Sequence, residues 1–469
     1  MDRKVTEWVE NEIEGSKFRD KRLAPRFQKL VEDLSRNIGS GLTVACQDWA
    51  SMKAAYRFLS NTRVTEQEIL AGHFCCTRER FAATEEPVLV LHDTTEFSFR
   101  RGDDCSIGVL KKLPVRRMGR QLTTCGILMH SSLVVTTGGL PLGLSAVKFW
   151  TRDKFKGTNA LKRRMNPTRI PIEQKESIRW LENLNQSTTL LGDPDRCVHI
   201  GDRESDIYEL FCIAVDQQTN FLFRTCVDRV AGDDSTLVSK IVDQAPIRGR
   251  HRLTVKDKQG NSREAILELK FTSLIVHPPE YKKKKYPALK LTVIEARERN
   301  KPTKGEPIVW KLITNLPVKN LSSAIEKLEW YASRWKIETF HKILKSGCRA
   351  EESRMRTAQR LANLIAIFTI LSWRIFWVTM LKREAPRARP SLAFTKTEIE
   401  ILKRQIKSKR QPHSQRKYCI DRFVLQVAKL GGYLARANDP PPGNIVIWRG
   451  LARLSDMQLG FEMQGDICG

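Results

Sequence analysis

The stretch LANLIAIFTILSWRIFWVTML, residues 361–381, constrains this chain more than any other. A run so long and apolar must leave water, either across a bilayer or inside a protein core. It contains Asn363 and Arg374 and has basic residues on both sides. It is also a lone candidate in a very polar chain. These features predict a buried core helix and no membrane partner. A core that encloses such a helix needs a sizeable domain, and 469 residues allow two to four.

The surface charge is the next constraint. There are 81 Lys and Arg against 53 Asp and Glu, a net charge of +28. Such an excess favours a polyanionic partner, most often nucleic acid. The 11 cysteines are scattered without a C-x-x-C pair, and with the 8 histidines they show no zinc spacing. Reduced thiols in a cytoplasmic protein are expected. The charged start MDRKVTEWVENEIEG lacks the apolar core of a signal peptide.

Residues 17–38 read as an amphipathic helix whose apolar face is Leu23, Phe27, Leu30, Leu34 and Ile38. Arg22, Arg26, Lys29 and Arg36 share another face, either solvated or in contact with DNA. Residues 50–61 suggest a second helix. From Pro87 the texture changes to α/β. A strand over Val88–His92 ends at Asp93, two strands within 122–150 meet at Gly138-Gly139, and 172–186 is helical. A short strand in 197–211 ends at Asp202 and leads into a helix. Residues 221–315 look like a mostly β insertion, with YKKKKYP at 281–287 as a solvated loop. Beyond the apolar helix, 403–417 is a basic run, either a linker or a DNA-facing arm. Residues 421–436 are helical, and their Gly431-Gly432 pair would permit close packing between two copies of the chain. No internal repeat is visible.

The chemistry concentrates in WYASRWKIETFHKILK, residues 330–345. Taking about 100° per residue, Tyr331, Arg334, Glu338 and Lys345 fall within roughly 60° of one another on a helical wheel. A phenol, a guanidinium, a carboxylate and an ammonium on one stripe suit phosphate and metal together. Asp93 and Asp202 sit at strand ends, where active sites form in open α/β sheets. Each acid alone reads as a cap or a salt-bridge partner. The set of three carboxylates points to hard divalent ions and phosphodiester chemistry.

With those residues in view, the sequence resembles the bacterial DDE transposases of the Tn-five (IS-four) type over nearly its whole length. The family's helix signature, Y-x2-R-x3-E-x6-K, is complete in Tyr331, Arg334, Glu338 and Lys345. HDTTEFSF and GDRESDIYELF resemble its two aspartate segments, KAAYRFLSN its N-terminal domain and AKLGGYLAR a segment near the C-terminus. The resemblance implies an α/β, RNase H-like catalytic core with a β insertion, flanked by helical domains. It implies Asp93, Asp202 and Glu338 as catalytic ligands of Mg2+, with Mn2+ able to substitute and two ions per site. It further implies phosphate contacts from Tyr331, Arg334 and Lys345, and handling of a flipped base by Arg224 and Trp310.

The resulting expectation is a DNA-end-binding domain over 1–78, a catalytic domain over 79–380 with its insertion at about 221–315 (boundaries read from texture changes), and a dimerisation domain over 381–469. The partners would be double-stranded transposon ends, target DNA and a second copy of the chain. A bacterial cytoplasmic location, on the nucleoid when DNA-bound, is expected. Two alternatives stay open: a non-catalytic DNA-binding or regulatory protein, and a simple metal-dependent nuclease.

Overall fold

Five helices precede the first strand: α1 (Glu7–Ile13), α2 (Leu23–Arg36), α3 (Leu42–Cys46), α4 (Trp49–Leu59) and α5 (Glu66–Ala82). The computed structural model describes residues 7–37, 39–99, 107–114, 121–152, 170–256, 262–300, 302, 306–407 and 418–467. Helix α2 buries Leu23, Phe27, Leu30 and Leu34, the face its periodicity predicts, while Ile38 lies outside the described residues. It starts later than the sequence pattern suggests, because Asp20 accepts from the backbone of Arg22 at 3.0 Å and turns the chain. Asp48 caps α4 through Ser51 N, and Thr65 with Glu68 forms a capping box for α5.

The central sheet comprises β1 (Val88–Phe99), β2 (Val109–Pro114), β3 (Gln121–Thr136) and β4 (Pro141–Trp150), then β5 (Cys197–Gly201) and β6 (Asn220–Arg224). Helix α6 (Ile178–Leu191) precedes β5, and α7 (Tyr208–Asp216) crosses from β5 to its parallel neighbour β6. Gly139, at φ +100°, makes the β3–β4 turn in the left-handed region open to glycine. Residues of β1 alternate between two cores: Leu89 and Leu91 join one, Val88 and Val90 the other. Burying each such side chain contributes about 1.5–3 kcal/mol.

The segment expected as an insertion does not stand apart. It holds β7 (Val230–Ala231), β8 (Thr236–Leu237), α8 (Val238–Gln244), β9 (Gly249–Lys256), β10 (Ser262–Val276), β11 (Leu289–Glu298) and β12 (Val309–Thr314). Strand β12 pairs with β6, so the sheet continues in the order β2-β3-β1-β5-β6-β12-β11-β10-β7-β8, with β4 on β3 and β9 on β10. The lysines of 281–287 are partly tied down, Lys283 to Asp234 at 2.6 Å and Lys282 to Glu209.

The remaining helices are α9 (Leu321–Ala332), α10 (Trp335–Lys342), α11 (Ala358–Glu384), α12 (Lys396–Lys407), α13 (Ile420–Leu430) and α14 (Asn444–Ile467). Helix α11 is the apolar stretch, and its most hydrophobic window is 94% buried inside the protein. Its polar interruptions find partners, although Arg374 Nη1 is buried without one. Asn363 donates to the carbonyls of Leu59 and Val64 at 3.3 and 3.2 Å. Arg374 pairs with Glu398 at 2.9 Å and lies over the Trp8 ring. Removing Glu398 would strand a buried charge, at a cost of about 3–5 kcal/mol.

The Gly431-Gly432 pair suggests close packing, and Gly431 provides it within the chain. A Cβ on Gly431 would stand 1.8 Å from Val446 O, and one on Gly450 would stand 1.8 Å from Val427 O. Helices α13 and α14 therefore pack backbone to backbone. The glycine at 431 is committed to this internal contact, so it gives no support to a contact between subunits.

Candidate active site

Asp93 lies where β1 loses one of its two neighbours. Strand β1 pairs with β3 from Val88–Thr136 to Phe99–Cys125, but its parallel pairing with β5 ends at Leu91–Ile200. The strand thus runs on past Asp93, contrary to the sequence expectation, and it is the parallel neighbour that stops. A crevice at the carboxyl end of parallel strands is where ligands bind in open sheets. Asp202 directly follows β5, and its Oδ1 accepts from Glu204 N at 2.9 Å to cap the turn Arg203–Ser205.

The polar stripe is not one regular helix. Between α9 and α10, Arg334 N bonds to Tyr331 O at 3.0 Å and Ile337 N to Arg334 O at 3.2 Å, the tighter i+3 pattern. Beyond α10 the chain widens into a π-helical turn, Ile343–Gly347. Tight winding before and wide winding after break the phase of a 3.6-residue wheel. The four signature residues consequently serve two adjoining hollows.

The smaller is an open cleft of about 440 Å3 lined by Asp93, Thr94, Thr95, Glu338, His341, Lys342, Lys345 and Ser346. The larger, about 1210 Å3, has Arg224, Trp310, Tyr331, Arg334 and Trp335 on its walls, and Lys342 and Ser346 line both. In the larger hollow Trp310 meets Tyr331 edge-on at 5.2 Å, and Arg224 donates to Val309 O at 3.0 Å. Burial pushes the Tyr331 phenol above its ordinary value, so it stays protonated.

Asp202 lines neither hollow, yet it feels both neighbours. Its carboxyl is raised, first by burial, then by the charges of Asp93 and Glu338, against the opposing pull of Glu204 N and Arg334. Arg334 Nη2 binds Glu338 Oε1 at 2.5 Å. Among the described residues no group of three or more His, Cys, Asp or Glu stands as a ready metal-binding set. The three carboxylates therefore neighbour one another without the shared-ion spacing expected from sequence. They still fit a hard divalent cation in chemistry and charge. All are oxygen donors, and a cation would relieve the repulsion that lifts Asp202. Arg334 engages one of the two Glu338 oxygens, Oε1, so a ligand role would fall to the other.

The N-terminal cations are exposed but partly engaged. Arg22 pairs with Asp20 at 2.9 Å and Lys29 with Asp33 at 3.0 Å, while Arg26 is exposed. Sequence reading missed a second surface. On α4, Trp49 is 72% exposed, and Lys53, Tyr56 and Arg57 are exposed beside it. The signal was legible as Trp49, Lys53 and Tyr56 at helical offsets, with no apolar role to fill. Of the basic run 403–417, the first residues continue α12, and 408–417 lie outside the described residues.

Comparison with known families adds to this geometry. Residues 5–64, which span α1 to α4, match the family model described as Transposase DNA-binding. Residues 211–373 match the one described as Transposase DDE domain. Together they support a DDE transposase with DNA as a partner. The second match indicates a nuclease and strand-transferase enzyme and implies an RNase H-like core, in keeping with the mixed sheet flanked by helices. It includes Glu338 and the rest of the helix signature but begins after Asp93 and Asp202.

Proposed function

We propose that this chain is a cut-and-paste DNA transposase of the Tn-five (IS-four) type. It would bind inverted terminal repeats and use water to break one strand, freeing a 3′-OH. That hydroxyl would attack the opposite strand to close a hairpin. Water would open the hairpin, and the end would join target DNA. Each step is an in-line attack on phosphorus with an oxygen leaving, so one site can serve all of them.

The observation that carries this reading is the meeting of Asp93, Glu338 and Lys345 in one cleft beside the hollow that holds Tyr331 and Arg334. Asp93, Asp202 and Glu338 would hold Mg2+, or Mn2+ in its place. Such ions, when bound, supply charge to activate an attacking oxygen and stabilise a leaving one. Lys342 and Lys345 would grip the phosphate backbone, with Arg334 and the Tyr331 hydroxyl doing so from the larger hollow. Trp310 and Arg224 would receive a base extruded near the cut. A purely DNA-binding protein has no evident use for a half-buried carboxyl held beside two others. Two copies would pair the two ends through the helical tail.

The test is a duplex bearing the inverted repeats that flank the gene, incubated with Mg2+ and a second DNA. Joined products would support a transposase. Cleavage without joining would reduce the chain to a nuclease, and binding without cleavage to a DNA-binding protein.

A further inference from the structure

Asp93 and Ser131 are direct cross-strand partners on β1 and β3. Opposed residues of an antiparallel pair share one face of the sheet. His341 of α10 reaches both. Its Nε2 lies 2.8 Å from Ser131 Oγ, and its Nδ1 lies 3.5 Å from Asp93 Oδ2. The ring is 5% exposed and Ser131 is fully buried. His341 also follows Glu338 by three residues, which puts both side chains on one side of α10.

We infer that His341 is a positioning residue that fixes the Asp93 carboxylate relative to Glu338, with Ser131 holding the ring. The inference rests on the reading of Asp93 and Glu338 as the working carboxylates. An ionised carboxylate can only accept, so a ring proton on Nδ1, which faces Asp93 at 3.5 Å, is the arrangement that suits the pair. Nε2 is then an acceptor, and the Ser131 hydroxyl donates to it. That arrangement selects one tautomer and one ring orientation. The imidazole spans from the β1–β3 pair to α10 and sets how far Asp93 stands from the next acid along the helix. Nε2 is taken up by Ser131 and the ring is almost wholly buried, which suits a positioning role.

Partners of this kind, which orient a ligand without touching the ion, typically change metal affinity about 10–100-fold when removed. A residue that merely fills space would not. The distinguishing substitutions are His341→Phe, which keeps the bulk, and His341→Asn, which keeps a donor near the place of Nδ1. The experiment is Mn2+ titration of the DNA-free full-length chain, read as loss of the free-ion electron paramagnetic resonance signal. Thermal melting of each variant checks its folding. Asp93→Ala and His341→Phe should both weaken Mn2+ binding about 10-fold or more. His341→Asn should recover to within a few-fold of wild type. Ser131→Ala, which leaves the ring in place but unlocks it, should fall between, and it decides the matter if His341→Phe does not fold. No saturable binding in wild type, or binding indifferent to Asp93→Ala, would overturn the reading of the carboxylates and this inference with it. Dependence on Asp93 with His341→Phe unchanged, or with a folded His341→Asn as weak as His341→Phe, would overturn the inference alone. So would Ser131→Ala binding as tightly as wild type.

Discussion

Asp93, midway along β1, and Glu338, on α10, line the same open cleft, with Lys345 beside them. Two acids and an ammonium from distant parts of the chain meet on one small surface. Asp93 comes from β1 and Glu338 from α10, while Asp202, just after β5, neighbours them without lining the cleft.

The raised carboxyl of Asp202 yields a stability prediction. A carboxyl raised in the folded state favours folding at low pH, and that contribution is lost as pH rises through its folded value. At neutral pH its ionisation therefore opposes folding. Asp202→Asn keeps a side chain able to cap the following turn and removes the charge. Without divalent ions at pH 7.5, this variant should melt on the order of 1–3 °C higher than wild type, and with Mg2+ added it should lose cleavage. Calorimetry showing a lower melting temperature would make Asp202 a structural acid.

Acid should weaken the fold early. Burial holds His199 down at about 3 and drives His92 and His130 well below the ordinary range, while at His73 the Glu12 carboxylate 2.5 Å away opposes the same push. A depressed histidine stabilises fully above its unfolded value and loses that contribution as pH falls toward its folded value. The window opens near pH 6.5 and runs down to about 3. Each group costs roughly 1.4 kcal/mol per pH unit inside it. Urea melts at pH 7.5 and 5.5 should show a loss of several kcal/mol. An equal midpoint at both would mean that these rings are not held neutral.

DNA binding should depend on salt, and its slope should report the contacts. If α4 faces DNA, Lys53→Ala with Arg57→Ala should flatten the slope by about two units, about one per lost phosphate contact. The Arg22→Ala, Arg26→Ala and Lys29→Ala set should change it less, because two of those cations already have acidic partners. Fluorescence anisotropy across a salt series measures both. An unchanged slope for the α4 pair would return the interface to α2.

Trp310 allows a step-specific prediction. Hairpin closure needs a 3′-OH to cross the duplex, and extruding a base relieves that geometry. Unstacking costs a few kcal/mol, and stacking the base on an aromatic ring returns about 1–3 kcal/mol. Trp310→Ala should leave the first nick largely intact and slow hairpin formation by roughly one to two orders of magnitude. Equal losses in both steps, resolved on a denaturing gel, would make Trp310 a packing residue for Tyr331.

Much of this was legible in the sequence where the physics is local. The core helix announced itself by length and apolarity, and its Asn363 and Arg374 found partners as buried polar groups must. The position of Asp202 just after β5 followed from a short apolar run, whereas β1 runs on past Asp93 to Phe99. What stayed hidden depends on partners far away in the chain. The joining of β12 to β6, which merges the supposed insertion into the sheet, rests on a long-range register. The tight turn at Arg334 and the π-turn after Lys342 break a periodicity that a wheel assumes. His341 looked like one residue of a signature helix, since its partner Ser131 sits on β3. Gly431 suggested a contact between subunits, and Val446 of the same chain fills that role.

The most direct measurement compares nicking and binding in Asp93→Ala, Asp202→Ala and Glu338→Ala on a duplex carrying the flanking inverted repeat, with Mg2+ present. Each substitution removes a carboxylate and leaves Lys342, Lys345 and the N-terminal cations in place. The account predicts that all three variants bind within a few-fold of wild type, and that nicking falls by at least about three orders of magnitude, a loss of roughly 4 kcal/mol in transition-state stabilisation. Nicking that persists near the wild-type rate in any one of the three would contradict the assignment of that carboxylate, and persistence in all three would place the chemistry elsewhere.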